Sequence, residues 1–317
     1  MPSKWITPLL ALAFFHVQAW AIDLEKEADV EAFVQDMAKR HRFDPLYLRQ
    51  VFKKTAWRPE IVEAMKRPAE AKPWYQYRPL FITAARIRSG RAFLKDHDDL
   101  LRRAEDTYGV PASVIVAILG IETRYGRYTG RHRVMDALTT LGFRYPKRGR
   151  FFRSELEQFL LMTREEGLDP LAVKGSYAGA MGWGQFIPSS FRHYSVDFDG
   201  DGRRDLWHAA DAIGSIAHYL SAHGWEPRTP VAMKIQNEGN IQPSKTLKPQ
   251  SPLRALKVSL KETVPDDLPA SILSLEGEKG PEYWVIFNNF YVITRYNHSP
   301  LYAMAVHQLA QAVEETP

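Results

Sequence analysis

The chain has 317 residues, with 42 Lys and Arg against 37 Asp and Glu, 45% hydrophobic and 12% aromatic residues, and no cysteine. This is the composition of a globular protein with room for about two domains; it excludes disulfide frameworks, thiolate nucleophiles, cysteine-bound zinc, iron–sulfur clusters and lipid anchors on cysteine. A formal net charge of +5 suits an anionic polymer as partner without specifying nucleic acid.

Residues 1–21 open with Lys4, continue through an apolar run from Ile6 to Phe15 and end in Ala19-Trp20-Ala21. That is the pattern of an export signal with a cut after Ala21. The run is too short to span a bilayer, so the mature chain is expected to be soluble and periplasmic, away from nucleic acid. Residues 22–105 read as a helical domain. Val30, Phe33, Val34 and Met37 recur at helical spacing, Pro68, Pro73 and Pro79 cut the stretch into short helices, and Lys72–Tyr77 reads as an aromatic loop. Residues 106–228 carry helices around 111–123, 154–164 and 211–222. From 229 to 282 the composition shifts to a small strand-rich domain, with extended segments expected at 229–236 and 253–260, and at 283–294 beyond it. Residues 283–317 return to the core and end in a helix over 299–313. The fold class is mainly α, in an α+β arrangement.

Three segments carry chemistry. Pro111 opens a run to Ile121 that is apolar on every face, hence a buried helix, with Gly126 as its expected stop. Glu122 falls in its last turn, where the negative end of the helix dipole and burial both favour the protonated acid. That makes it a candidate general acid; the alternative is a surface carboxylate paired with Arg124. The second segment, Lys174 to Pro188, sets four glycines among Tyr177, Trp183 and Phe186, with Ser176 and Gln185 as hydrogen-bonding groups. Such a loop offers close backbone approach and flat faces for sugar rings, although a tight glycine turn reads the same way. The third, Asp197-Phe-Asp199-Gly-Asp201-Gly202-Arg203-Arg-Asp205, matches the first nine positions of a calcium loop. His208 stands where the usual bidentate Glu belongs, and Asp211 is placed to close the site instead.

Together these motifs, with Tyr296-Asn297, resemble the lytic murein transglycosylase B family, glycoside hydrolase family 103. The similarity runs from about Phe33 through Trp225 and resumes over Tyr283–Ala303. It implies a lysozyme-like catalytic core with an added helical domain and a small strand-containing domain. It implies cleavage of the MurNAc–GlcNAc β-1,4 bond of peptidoglycan with formation of a 1,6-anhydro-MurNAc end, Glu122 being the single acid and base. It further implies that Tyr77, Arg124, Ser176, Gln185, Tyr219, Tyr296, Asn297 and Tyr302 bind the glycan strand, and that Asp197, Asp199, Asp201, the Arg203 carbonyl and Asp211 hold a structural calcium ion. No organic cofactor is expected, and no lipid anchor, although the best-known member of the family is a lipoprotein. Two other readings fit the motifs: a muramidase that uses water, and a calcium-dependent peptidoglycan-binding protein without activity.

Overall fold

A computed structural model describes residues 20–66, 72–236 and 241–315. The export signal expected over residues 1–21 falls outside these except for Trp20–Ala21, and Pro68 also lies outside them. The chain enters at β1 (Trp20–Ala21), which pairs antiparallel with β2 (Ala56–Trp57) and so encloses α1 (Ala28–His41) and α2 (Pro45–Lys53). Short helices α3 (Pro59–Met65), α4 (Trp74–Phe81), α5 (Ala84–Asp96) and α6 (Asp98–Tyr108) follow. Asp44 and Thr83 cap α2 and α5 through their side-chain oxygens, which satisfies amides the helices leave unpaired.

A buried carboxylate is one of the ties between these first helices and the rest. Asp136 lies on α8 (Val134–Arg144) and is 1% exposed. It accepts hydrogen bonds from Ala56 N, Arg58 Nε and Arg133 Nε at 3.1, 3.1 and 3.0 Å, so its charge is paired rather than merely buried.

At the centre stands α7 (Ala112–Thr123), all of whose residues from Ser113 to Ile121 are buried. It packs against α5, α6, α11 (Ala209–Ala222) and α14 (Pro300–Glu314). Around it run β3 (His132–Arg133), α9 (Gly149–Glu165), β4 (Lys174–Gly175) and α10 (Pro188–Tyr194), β3 and β4 forming one small antiparallel pair. The remaining strands are β5 (Ala232–Lys234), β6 (Ser251–Pro252), β7 (Pro269–Gly277) and β8 (Gly280–Ile286); they form an antiparallel sheet in the order β5-β8-β7-β6. Two further helices are α12 (Leu253–Leu256) and α13 (Asn288–Tyr296).

Three expectations change. Lys72–Tyr77 is not all loop: Pro73, fixed in an extended conformation, starts α4, and Trp74 buries itself against the core. The segment 253–260 begins with the short helix α12, whose Leu253 and Leu256 join a satellite cluster with Ile272, Val285 and Phe287. The apolar stretch 283–294 is a strand only to Ile286, then turns helical at Asn288. Buried Asn289 accepts from Glu226 N and donates to the carbonyls of Glu226 and Thr229, which sets that change of direction.

Candidate active site and metal loop

The last turn of α7 presents Glu122. The helix ends at Thr123, earlier than Gly126, because Arg124, Tyr125 and Gly126 all take left-handed conformations, with φ of 51°, 61° and 81°. Two of the three are not glycine, and each costs about 1 kcal/mol or more in backbone strain. Compensating bonds hold them: Tyr125 N donates to Leu119 O at 3.0 Å, and Thr123 Oγ1 donates to Trp183 O at 2.9 Å while accepting from Gly126 N. A Cβ on Gly126 would stand 2.3 Å from the Trp183 indole, so glycine is required there by space as well as by φ. The Glu122 helix end and the glycine-rich loop are thereby built as one unit.

Part of the Glu122 surface still reaches solvent, but protein surrounds the carboxyl and desolvation pushes its pKa up from the usual value to about 7. One hydrogen bond works against that shift: Tyr302 Oη donates to Glu122 Oε1 at 2.6 Å. No neighbouring acid contributes to the shift, and among the described residues Glu122 forms no ion pair. Arg124 instead lies over the Tyr128 ring at 5.3 Å, so the alternative of a surface Glu122–Arg124 pair is not what forms.

The tyrosines come together around this carboxyl. Tyr302 stands in the first turn of α14, whose N-cap Ser299 accepts from Tyr302 N. Tyr296, the last residue of α13, stacks on Tyr302 with centroids 6.4 Å apart and rings 6° from parallel. Burial raises both hydroxyl pKa values well above normal, so each is a neutral donor. Tyr296 Oη donates to the carbonyl of Gly184, and Tyr219 Oη donates to Arg295 O at 2.7 Å. Tyr219 and Tyr296 therefore spend their hydroxyls on backbone, while the Tyr296 ring turns its face to Tyr302 and the Tyr219 ring its face to His223. Tyr77 packs beside the Trp74 and Phe81 rings, with centroids 6.3 and 5.0 Å away, and adds a little to the raised pKa of Tyr302.

The loop side chains are half committed. Ser176 Oγ accepts from Ala178 N and Ala180 N, at 3.2 and 3.0 Å. Gln185, itself left-handed at φ 51°, donates Nε2 to Thr129 O and Gly182 O, which leaves its carbonyl end for a ligand. Asn297 Oδ1 accepts from Ser299 N, which leaves its amide nitrogen. Two residues absent from the sequence reading also shape the site. Thr123 ties the two segments as described, and its place beside Glu122 was the only available signal. Arg86 Nη1 donates to Leu80 O and Phe81 O at 2.7 and 2.8 Å, while its carbonyl accepts from Tyr125 Oη at 2.8 Å. Nothing in the sequence around Arg86 marks it.

The acidic loop lies between α10 and α11. Ligand oxygens of Asp197, Asp199 and Asp211 lie within 4.8 Å of one another. Asp211 is 1% exposed and accepts from Phe198 N and Asp205 N, at 2.7 and 2.6 Å. Asp201 is not in that close triplet; its Oδ1 accepts from Arg203 N. The loop is pinned to the core by Phe198, which covers Gly214 and lies under the Arg103 guanidinium. Converging carboxylate oxygens with one acid buried form a hard-oxygen donor set, which suits calcium and not a soft metal.

The transglycosylase SLT domain model matches residues 25–311. Membrane-bound lytic murein transglycosylase B of Escherichia coli (strain K12) is 43% identical over 303 residues, 92% of this chain and 84% of that protein. The soluble lytic transglycosylase SltB1 of Pseudomonas aeruginosa is 47% identical and superposes with a TM-score of 0.84, covering 90% of this chain and 98% of that one. Escherichia coli Slt35, solved in complex with calcium, is 41% identical with a TM-score of 0.86, covering 95% of this chain and 97% of that one. The mainly helical, lysozyme-like fold is shared across nearly the whole length, and the chain belongs to the SLT transglycosylase family, as a lytic transglycosylase.

Proposed function

We propose that the chain cleaves the MurNAc–GlcNAc β-1,4 bond of peptidoglycan with Glu122 as both acid and base. Protonated Glu122 delivers its proton to the glycosidic oxygen as the C1–O bond breaks. The resulting carboxylate takes the proton from the muramoyl C6 hydroxyl as that oxygen closes on C1. A 1,6-anhydro end forms, Glu122 regains its proton, and no water enters. The observation that carries this reading is Glu122 itself, an acid poised near neutrality by burial alone. Among the described residues no second carboxylate contributes to that shift, which supports a mechanism in which one carboxyl performs both proton transfers.

Arg124, Ser176, Gln185 and Tyr219 of a core spanning residues 106–228 form the proposed sugar-binding wall with Tyr77 of the helical part (22–105) and Tyr296, Asn297 and Tyr302 of the returning segment (283–317), the strand-rich part (229–282) lying between. The related enzyme SltB3 of Pseudomonas aeruginosa has been solved with NAG-NAM-pentapeptide, which supports the glycan strand as partner. Asp197, Asp199 and Asp211, helped by Asp201 and the Arg203 carbonyl, would hold calcium. The ion would neutralise three acids and tie the loop to α11. We place the enzyme in the periplasm, where its polymer lies.

Digesting purified peptidoglycan and weighing the muropeptides tests the chemistry. Products lighter by one water than hydrolytic ones are expected; hydrated products would make the chain a muramidase. Glu122→Gln is expected to lower turnover by roughly 10²–10⁴-fold while glycan binding persists, and wild-type turnover in that variant would overturn the single-acid mechanism.

A further inference from the structure

Beyond Thr123 the chain runs along the glycine-rich loop, and the two backbones meet closely. Tyr128 N donates to Thr123 O at 3.0 Å, and Gln185 Nε2 donates to Thr129 O at 3.2 Å. Gly130, at φ 99°, lies so near the loop that a Cβ on it would stand 2.0 Å from the Gly175 carbonyl carbon and 2.5 Å from Ser176 N. Residues 128–130 are therefore held on one side by the turn that presents Glu122 and on the other by the loop that presents Ser176 and Gln185. Arg124, Tyr125 and Gln185, none of them glycine, take left-handed conformations along this seam, and backbone strain of that kind collects where ligands are clamped.

Two large aromatic rings stand free at that seam. Tyr128 is 64% exposed, and Tyr177, next to Ser176, is 42% exposed. The Arg124 guanidinium lies over the Tyr128 ring, 5.3 Å from its centroid, so one face of the ring is covered and the other is open. The segment from Arg124 to Arg131 holds three arginines and no acid, which disfavours a cationic ligand. A pyranose ring fits both features: its C–H face packs on an aromatic face, and its hydroxyl and acetamido oxygens accept from guanidinium groups. Glu122 and its partner Tyr302 are enclosed by protein, whereas the two exposed rings stand outside that enclosure and are placed for a neighbouring sugar.

We propose that Tyr128 and Tyr177 bind a sugar outside the pair joined by the bond being cut, and that this outer subsite makes the enzyme prefer long glycan strands to short ones. The subsite rests on the reading of the chain as a peptidoglycan-cleaving enzyme and adds a chain-length preference to it. Binding energy from a sugar remote from the reacting centre helps to position the one that reacts, so a fragment too short to reach Tyr128 forfeits that help. Tyr128 lies on the segment tied to Thr123, and Tyr177 on the loop tied to that segment, so a strand held by both rings is held against the Glu122 turn.

The test is a calorimetric titration of the full chain with β-1,4-linked N-acetylglucosamine oligomers, a disaccharide and a hexasaccharide. The wild type is expected to bind the hexasaccharide more tightly. Tyr128→Ala and Tyr177→Ala are each expected to weaken the hexasaccharide roughly fivefold, as loss of one aromatic platform implies. Disaccharide binding is expected to stay unchanged in both, which also reports an intact fold. Tyr128→Phe keeps the ring and loses only the hydroxyl, so it is expected to bind like the wild type. Wild-type affinity for the hexasaccharide in either alanine variant, equal weakening of both oligomers, or a loss in Tyr128→Phe as large as in Tyr128→Ala would overturn the subsite. Because binding is read without turnover, failure to find anhydro products would sink the catalytic reading and leave the titration result intact.

Discussion

Glu122 carries its cost as well as its use. With its pKa raised from the usual value to about 7, the folded chain binds a proton that the unfolded chain has lost between about pH 4.5 and 7. The stability from this group is therefore full below about pH 4.5 and is lost as pH rises through about 7. Glu122→Gln is expected to match wild type in Tm at pH 4.5 and to exceed it at pH 8, by up to about 3 kcal/mol of stability. A Tm difference that is flat across that range would show that burial does not lift this carboxyl. Glu122 was legible in the sequence because a carboxylate ends an otherwise apolar run. Its partner Tyr302 lies 180 positions away, so no local pattern could pair them, and the resemblance supplied Tyr302 without its role. Likewise nothing in the sequence tells that Tyr219 and Tyr296 give their hydroxyls to backbone carbonyls.

Among the elements, α4 is the one the sequence hid and the site needs. Helix α4 brings Tyr77 toward Tyr302, and its C-terminal carbonyls are held by the Arg86 guanidinium, while the Arg86 carbonyl holds Tyr125 beside the Glu122 turn. Arg86→Ala should free the end of α4 and raise KM several-fold with a smaller fall in kcat, and Arg86→Lys should restore part of the loss. A lowered Tm with unchanged KM would reduce Arg86 to a scaffold residue. The helix itself was masked by Pro73 and Pro79, which read as breakers although Pro73 only starts it. The reverse happened at 283–294, where β-branched and aromatic residues suggested one strand and the chain turns helical after Phe287. Composition is nearly continuous across that point; the buried contacts of Asn289 decide it. By contrast α7 and α11 were plain from their long apolar patterns, which leave no solvent face to mistake.

At the scale of the molecule, the acidic loop joins α10 to α11 and lies under Arg103 of α6, so its state reaches three elements. An ion bound a hundredfold above its dissociation constant adds about 2.7 kcal/mol to stability, or several degrees in a chain of this size. Chelation followed by calorimetry is expected to lower Tm by that amount, with recovery on adding calcium. Asp211→Asn should abolish the calcium response, and a Tm indifferent to chelator would argue against a bound ion. This loop was legible because its spacing is strict.

Helix α7 has one more consequence. Buried from Ser113 to Ile121, its central amides lie far from solvent, so they belong with the slowest to exchange for deuterium. The proton-transferring carboxyl is thus mounted on the last part of the protein to open, and thermal loosening of the outer helices would leave the acid in place well after the walls that hold the sugar have parted.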